Sequence, residues 1–173
     1  MNKSDWKTFF SEKVSKCKIL VVGDVMMDKY YYGEVHKFAS DAPVPVAKIV
    51  KRWSSLGAAA NVANNLALLG CQTYLAGFVG FDHNYETLAE QLFERGINQE
   101  GLITTDSPTT TKVRVISGHQ QMFRMDFEDN SPKPDEKYAA LEKYIRKLLN
   151  ESLDAVVIAD YEKGVCKLYT QRC

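Results

Sequence analysis

The run Gly57-Ala58-Ala59-Ala60-Asn61-Val62-Ala63 constrains this chain more than any other stretch. Six residues separate Ala63 from Gly70, and nine separate Gly70 from Gly80. That spacing predicts a turn at Gly57, a helix over 58–69 closed by Gly70 as its C-cap, and a buried strand from Tyr74 to Val79. Small residues at the helix start let a backbone approach closely, and the Asn61 amide both donates and accepts hydrogen bonds.

The same alternation recurs on both sides. Lys18-Ile19-Leu20-Val21-Val22-Gly23 reads as a buried parallel strand ending in a glycine turn. Tyr85 to Arg95 reads as a helix with Leu88, Leu92 and Phe93 inward and Gly96 as its stop. After Pro132 and Pro134 comes a helix of about 16 residues with Leu141, Tyr144, Ile145 and Leu148 on one face. Leu153 to Ala159 is a third buried strand, ending at Asp160. Strands alternating with helices predict an α/β fold, a doubly wound parallel sheet with right-handed crossovers.

Two segments break that rhythm. Residues 30–53 carry Tyr30-Tyr31-Tyr32-Gly33, then Pro43 and Pro45, then an alternating Val46 to Val50. In 109–128, Val113 and Val115 alternate with Lys112 and Arg114, and Phe123, Met125 and Phe127 alternate with Arg124, Asp126 and Glu128. With Ser117-Gly118-His119 between them, these form an antiparallel hairpin with one apolar and one polar face. Together the segments predict a small antiparallel β flap beside the main sheet. Ser4 caps an expected short amphipathic helix within residues 1–17, with Trp6, Phe9, Phe10 and Val14 sharing a face.

Composition excludes several functions. Lys plus Arg number 22 and Asp plus Glu 22, so no net field favours nucleic acid or an acidic membrane. No apolar run approaches the roughly 20 residues of a membrane span, and the N-terminus lacks a signal-peptide core. That predicts a cytoplasmic protein. Cys17, Cys71, Cys166 and Cys173 have no Cys-x-x-Cys spacing and read as free thiols, while His36, His83 and His119 are scattered. The pattern predicts no structural metal.

Ligands of open α/β sheets bind beyond the carboxyl ends of the strands. Asp28 follows the first strand, Gly57 and Asn61 start a helix, and Asp160 ends the third strand, so all three are expected on one rim. Each alone has an ordinary explanation: a solvated turn for Asp28, a local cap for Asn61 or Asp160. Lys112, Arg114 and Arg124, beside His119, Gln120 and Gln121, suit a phosphate-bearing ligand or simply the wet face of the flap. No Walker loop, nucleophile elbow or Gly-x-Gly-x-x-Gly follows a strand, which disfavours a dehydrogenase-type nucleotide domain.

Residues 18–173 resemble the ribokinase-like (PfkB) carbohydrate kinases. The likeness rests on Val22-Gly23-Asp24-Val25-Met26-Met27-Asp28-Lys29-Tyr30 and on Gly57 to Ala63. Ala42 to Val46, Thr111 to Val115 with His119-Gln120-Gln121, and Asp160 to Val165 look like the bacterial heptose-7-phosphate kinase branch, which serves ADP-heptose and lipopolysaccharide core synthesis. The resemblance implies that Asp28, Gly57, Asn61 and Asp160 meet sugar hydroxyls. It implies too that the basic hairpin, chiefly Arg114 and Arg124, holds the substrate's phosphate, that Lys163 is substrate-binding, and that the flap closes over the sugar and pairs two subunits. It implies ATP and Mg2+ for the complete enzyme and none held by this chain. The family's Gly-Ala-Gly-Asp segment, with its catalytic aspartate, does not occur in these residues. The expectation is therefore a partial kinase domain, the sugar-binding half, inactive alone, with an open strand edge. A non-catalytic sugar-binding or dimerisation module, or a kinase for another phosphorylated sugar or a nucleoside, stays open. Ala58 departs from the family pattern, which has a second glycine there.

Overall fold

The computed structural model describes Thr8 and residues 12–166. Eight strands and three α-helices lie among them. In chain order these are β1 (Lys18–Gly23), β2 (Val25–Phe38), β3 (Pro45–Gly57), α1 (Ala58–Leu68), β4 (Gln72–Gly80), α2 (His83–Glu94), β5 (Asn98–Thr105), β6 (Thr111–Ser117), β7 (Gln120–Phe127), α3 (Asp135–Leu149) and β8 (Ala155–Ala159). The expected helix on Ser4, Trp6, Phe9 and Phe10 lies outside the described residues, and Val14 belongs to a short 3-10 turn, Val14–Lys16.

One sheet runs β5-β4-β1-β8, with every neighbouring pair parallel. Side chains alternate across β1, so Val21 and Leu20 enter different cores. Val21 packs with Ala59, Ala63, Leu75, Leu88 and Leu92 from α1, β4 and α2. Leu20 and Val22 pack with Ala76, Phe78, Leu141, Ile145 and Leu148 from β4 and α3. Helices therefore cover both faces, as the apolar runs predicted. Leu88 is wholly buried, and truncating such a side chain costs about 2–5 kcal/mol.

A second sheet runs β3-β2-β6-β7. Its outer pairs are antiparallel, but β2 and β6 run parallel, so the flap is a mixed sheet and not the purely antiparallel one expected. Its first hairpin is also longer, since β2 begins two residues after β1 ends and β3 runs directly into α1.

The sequence reading is corrected at three further places. Phe93 is 79% exposed, because five residues after Leu88 it has rotated off the buried stripe. Strand β5 has no counterpart in the apolar pattern, its first residues being Asn98-Gln99-Glu100. Strand β8 edges its sheet among the described residues, and Ile158 stands 64% exposed where a buried strand was expected.

Candidate functional site

Chain direction builds the site. Beyond β1 the chain passes Asp24 and enters the flap as β2. Asp24 is 2% exposed, and its carboxylate accepts hydrogen bonds from the backbone N–H groups of Tyr161 (2.7 Å), Lys163 (3.1 Å) and Val165 (3.2 Å). Its own carbonyl accepts from Ala59 N–H at the start of α1 (3.0 Å). One buried residue thus gathers the start of β2, the start of α1 and the loop after β8. A buried carboxylate is tolerated only when its lone pairs are filled, as here.

Four residues into β2, Asp28 accepts from Arg114 Nη1 at 2.5 Å. That hydrogen bond, opposed by burial, holds the Arg114 guanidinium above its ordinary value. The pairing follows from register: β2 and β6 align Asp28 with Lys112 and Tyr30 with Arg114, so all four side chains share one face. Arg114 lies over the Tyr30 ring at 5.5 Å, Tyr30 stacks on Trp53 at 5.1 Å, and Lys51 lies over Trp53 at 5.4 Å. An aromatic pair capped by two cations therefore extends from Asp28 towards the flap's tip.

Gly57 lies beside this pair. A Cβ at position 57 would stand 2.9 Å from Asp28 Oδ2, so the carboxylate would have to shift to admit it. The next residue, Ala58, has φ +46°, in the left-handed region that a glycine takes without cost. Asn61 lies exposed in the first turn of α1, with no hydrogen bond to its side chain among the described residues.

The remaining expected residues have hydrogen-bond partners other than Asp28. Asp160 is exposed, and its Oδ1 accepts from Glu162 N–H at 2.9 Å, which shapes its own loop. Lys163 Nζ donates to Glu128 Oε1 at 2.9 Å. Arg124 forks onto Asp126 at 2.7 and 3.0 Å, and Lys112 bridges Asp126 (2.8 Å) and Glu128 (3.5 Å). These cations hold the Asp126 and Glu128 carboxyls below the usual carboxylate range: Lys112 then Arg124 for Asp126, Lys163 foremost for Glu128. Arg124 is thus the cross-strand partner of Arg114 and belongs to a carboxylate network one strand further out.

Sequence reasoning missed Asp24, Tyr30, Trp53 and Glu128 as parts of this arrangement. A carboxylate directly after a buried strand's glycine was the one available signal for Asp24. Among the described residues no group of three or more His, Cys, Asp or Glu side chains could hold a metal ion. Cys17, Cys71 and Cys166 carry free thiols, with Cys166 buried and pushed up to about 11.

A family model described as pfkB family carbohydrate kinase matches residues 16–171. The chain belongs to the pfkB family of carbohydrate kinases. This pfkB chain is 41% identical over 155 residues to a D-beta-D-heptose 7-phosphate kinase of Bordetella bronchiseptica, covering 90% of this chain and 49% of that protein. It is 46% identical over 149 residues to a bifunctional protein HldE of a Shewanella species, covering 86% of this chain and 31% of that one. The chain thus spans half or less of the length of these relatives. Among solved structures, a carbohydrate kinase from Agrobacterium tumefaciens matches with a TM-score of 0.60 at 18% identity, over 82% of this chain and 45% of that one. Arabidopsis thaliana ribokinase, solved with ribose and ATP, matches at 0.54 and 19% identity, over 72% and 42%. At such identities the likeness is one of fold, the ribokinase-like α/β fold.

Proposed function

We propose that this pfkB chain supplies the sugar-binding part of an ATP-dependent kinase that phosphorylates heptose 7-phosphate at its anomeric hydroxyl. The observation that carries the reading is the Asp28–Arg114 pair set against Gly57 at the start of α1. A carboxylate oriented by a guanidinium keeps lone pairs that accept hydrogen bonds from sugar hydroxyls, and the absent Cβ at Gly57 leaves room for the ring. The kinship with the Bordetella kinase supports the choice of a heptose phosphate.

In this reading Asp28 and Asn61 hold hydroxyls, and Gly57 gives the sugar access to the helix start. Asp160 approaches from the loop held by Asp24. Arg114, already aligned by Tyr30, and Arg124 and Lys163, drawn from their carboxylate partners, supply positive charge for the phosphate the substrate already carries. The flap also presents exposed Phe38, Val50 and Phe123, which suit a second copy of the chain as partner. The proposed setting is cytoplasmic ADP-heptose synthesis; no helix among the described residues is long and apolar enough to cross a membrane.

ATP and Mg2+ belong to the complete reaction, in which the γ-phosphoryl group passes to the anomeric oxygen and ADP leaves. The described residues bring together no acidic cluster to cradle a metal-bound nucleotide, so no step through ATP is assigned to them. No catalytic base is assigned either, because the 173 residues hold no Gly-Ala-Gly-Asp segment. The test is isothermal titration of heptose 7-phosphate, with mass spectrometry for a doubly phosphorylated product when ATP and Mg2+ are added. Binding without turnover is expected of this chain. Robust turnover, or equal binding of an unphosphorylated heptose, contradicts the reading.

A further inference from the structure

The opposite face of the flap, turned towards α2, holds a cleft of about 400 Å3 that the sugar site does not use. Register puts its floor together: β2 and β3 pair Lys29 with Ser54 and Tyr31 with Arg52, so these four share the face that Asp28 and Tyr30 do not. The facing wall is His83 and Thr87, one turn apart on α2. Two hydrogen bonds tie the walls together, Lys29 Nζ to Asn84 Oδ1 (2.5 Å) and Gln91 Nε2 to Ser54 Oγ (2.9 Å).

No carboxylate lines this cleft. Lys29 keeps two further N–H donors beyond its bond to Asn84. Arg52 forms no ion pair among the described residues, and its planar fork suits two phosphate oxygens at once. His83 spends Nδ1 on Glu86 (3.0 Å), which leaves Nε2. Hydroxyls at Ser54 and Tyr31 add neutral donors, while Thr87 Oγ1 already donates to the His83 carbonyl at 3.1 Å. Cationic groups, hydroxyls and no acid in a pocket of this size are the requirements of a small anion with more than one charged oxygen.

We propose that this cleft is an anion site for a small phosphate-bearing molecule, a phosphomonoester or diphosphate, bound between the flap and α2. It is distinct from the Asp28 face, because alternate residues of the same strands point to opposite sides. One wall belongs to the flap and the other to the body, so an occupant fixes the angle between them. The ligand then acts on the sugar site by setting how far the flap stands over it.

Pyrophosphate is the probe. Isothermal titration calorimetry reads its binding, since the Trp53 ring stacks on Tyr30 on the other face of the flap. Wild type should bind pyrophosphate saturably. Arg52→Ser should weaken its binding about tenfold or more, and Thr87→Glu, which puts a carboxylate on the wall, should abolish it. Arg52 is exposed and Thr87 half-buried, and unchanged circular dichroism would show that the variants fold. Asp28→Asn should leave pyrophosphate binding intact, so this proposal and the sugar-site reading can fail separately. No saturable binding at millimolar pyrophosphate overturns the proposal. So does binding that ignores Arg52→Ser and Thr87→Glu but disappears with Asp28→Asn.

Discussion

Arg114 reaches Asp28 at 2.5 Å across two strands that run parallel, although 86 positions separate the two residues. The pair fixes the direction of the carboxylate that a side chain at position 57 would meet. Each partner depends on the other: Asp28 without Arg114 is free to turn, and Arg114 without Asp28 is a partly buried cation with only the Tyr30 face for company.

Asp28→Asn keeps the size of the side chain and removes its charge. Hydrogen bonds to charged groups contribute about 1.5–3 kcal/mol, so sugar-phosphate affinity should fall about tenfold to a hundredfold. Arg114→Lys keeps the charge without the fork and should lose less. Titration calorimetry on both variants measures this, and equal affinity in wild type and Asp28→Asn counts against the site.

Ala58 occupies a left-handed backbone position, φ +46°, where its Cβ is crowded. Such a conformation costs a non-glycine residue about 1–2 kcal/mol, and glycine's extra freedom in the unfolded chain offsets part of that. Ala58→Gly should therefore stabilise the protein by up to about 1 kcal/mol, a rise in Tm of about 2–4 °C for a chain of this length. A lower Tm in differential scanning calorimetry would show that position 58 carries no strain.

Asp24→Ala strips the acceptors from three backbone N–H groups, those of Tyr161, Lys163 and Val165. Leaving each unsatisfied costs about 1–3 kcal/mol, so a loss of about 3–9 kcal/mol is expected in urea unfolding. Protease cleavage should concentrate in the 160–165 loop. A loss below about 1 kcal/mol would mean that water replaces the carboxylate freely.

Lys163 Nζ on Glu128 Oε1 straps the loop after β8 to the residue that follows β7, and this strap should be sensitive to acid. Lys163 holds Glu128 below the ordinary glutamate range, and Lys112 and Arg124 do the same for Asp126. A carboxylate with a depressed folded pKa stabilises above its unfolded value, and that contribution is lost as pH falls through the folded value. The strap should thus be intact at neutral pH and weaken below about pH 4. Melting temperatures between neutral and acidic pH should fall more steeply for wild type than for Glu128→Gln; parallel curves would remove the strap from the account.

The parallel sheet was legible because Lys18–Gly23 and Tyr74–Val79 are nearly continuous apolar runs between glycine turns. Strand β5 was not, because it joins β4 through backbone bonds while its first residues are polar. The approach of Asp28 to the Gly57 turn is the part of the expected rim that the structure displays. The Arg114 contact was hidden, because it depends on a parallel β2–β6 pairing that no hairpin periodicity encodes. The role of Asp24 was hidden too, since its three partners lie some 140 positions away and donate only backbone N–H groups, which leave no mark in sequence.

The most direct test of the whole account is the thermal stability of this chain with heptose 7-phosphate, compared with its Asp28→Asn variant. Ligand that binds only the folded state at a hundred times its Kd adds about 2.7 kcal/mol, a clear upward shift in Tm. The account predicts that shift for wild type and little or none for Asp28→Asn. No shift in wild type, or the same shift in both proteins, would contradict it.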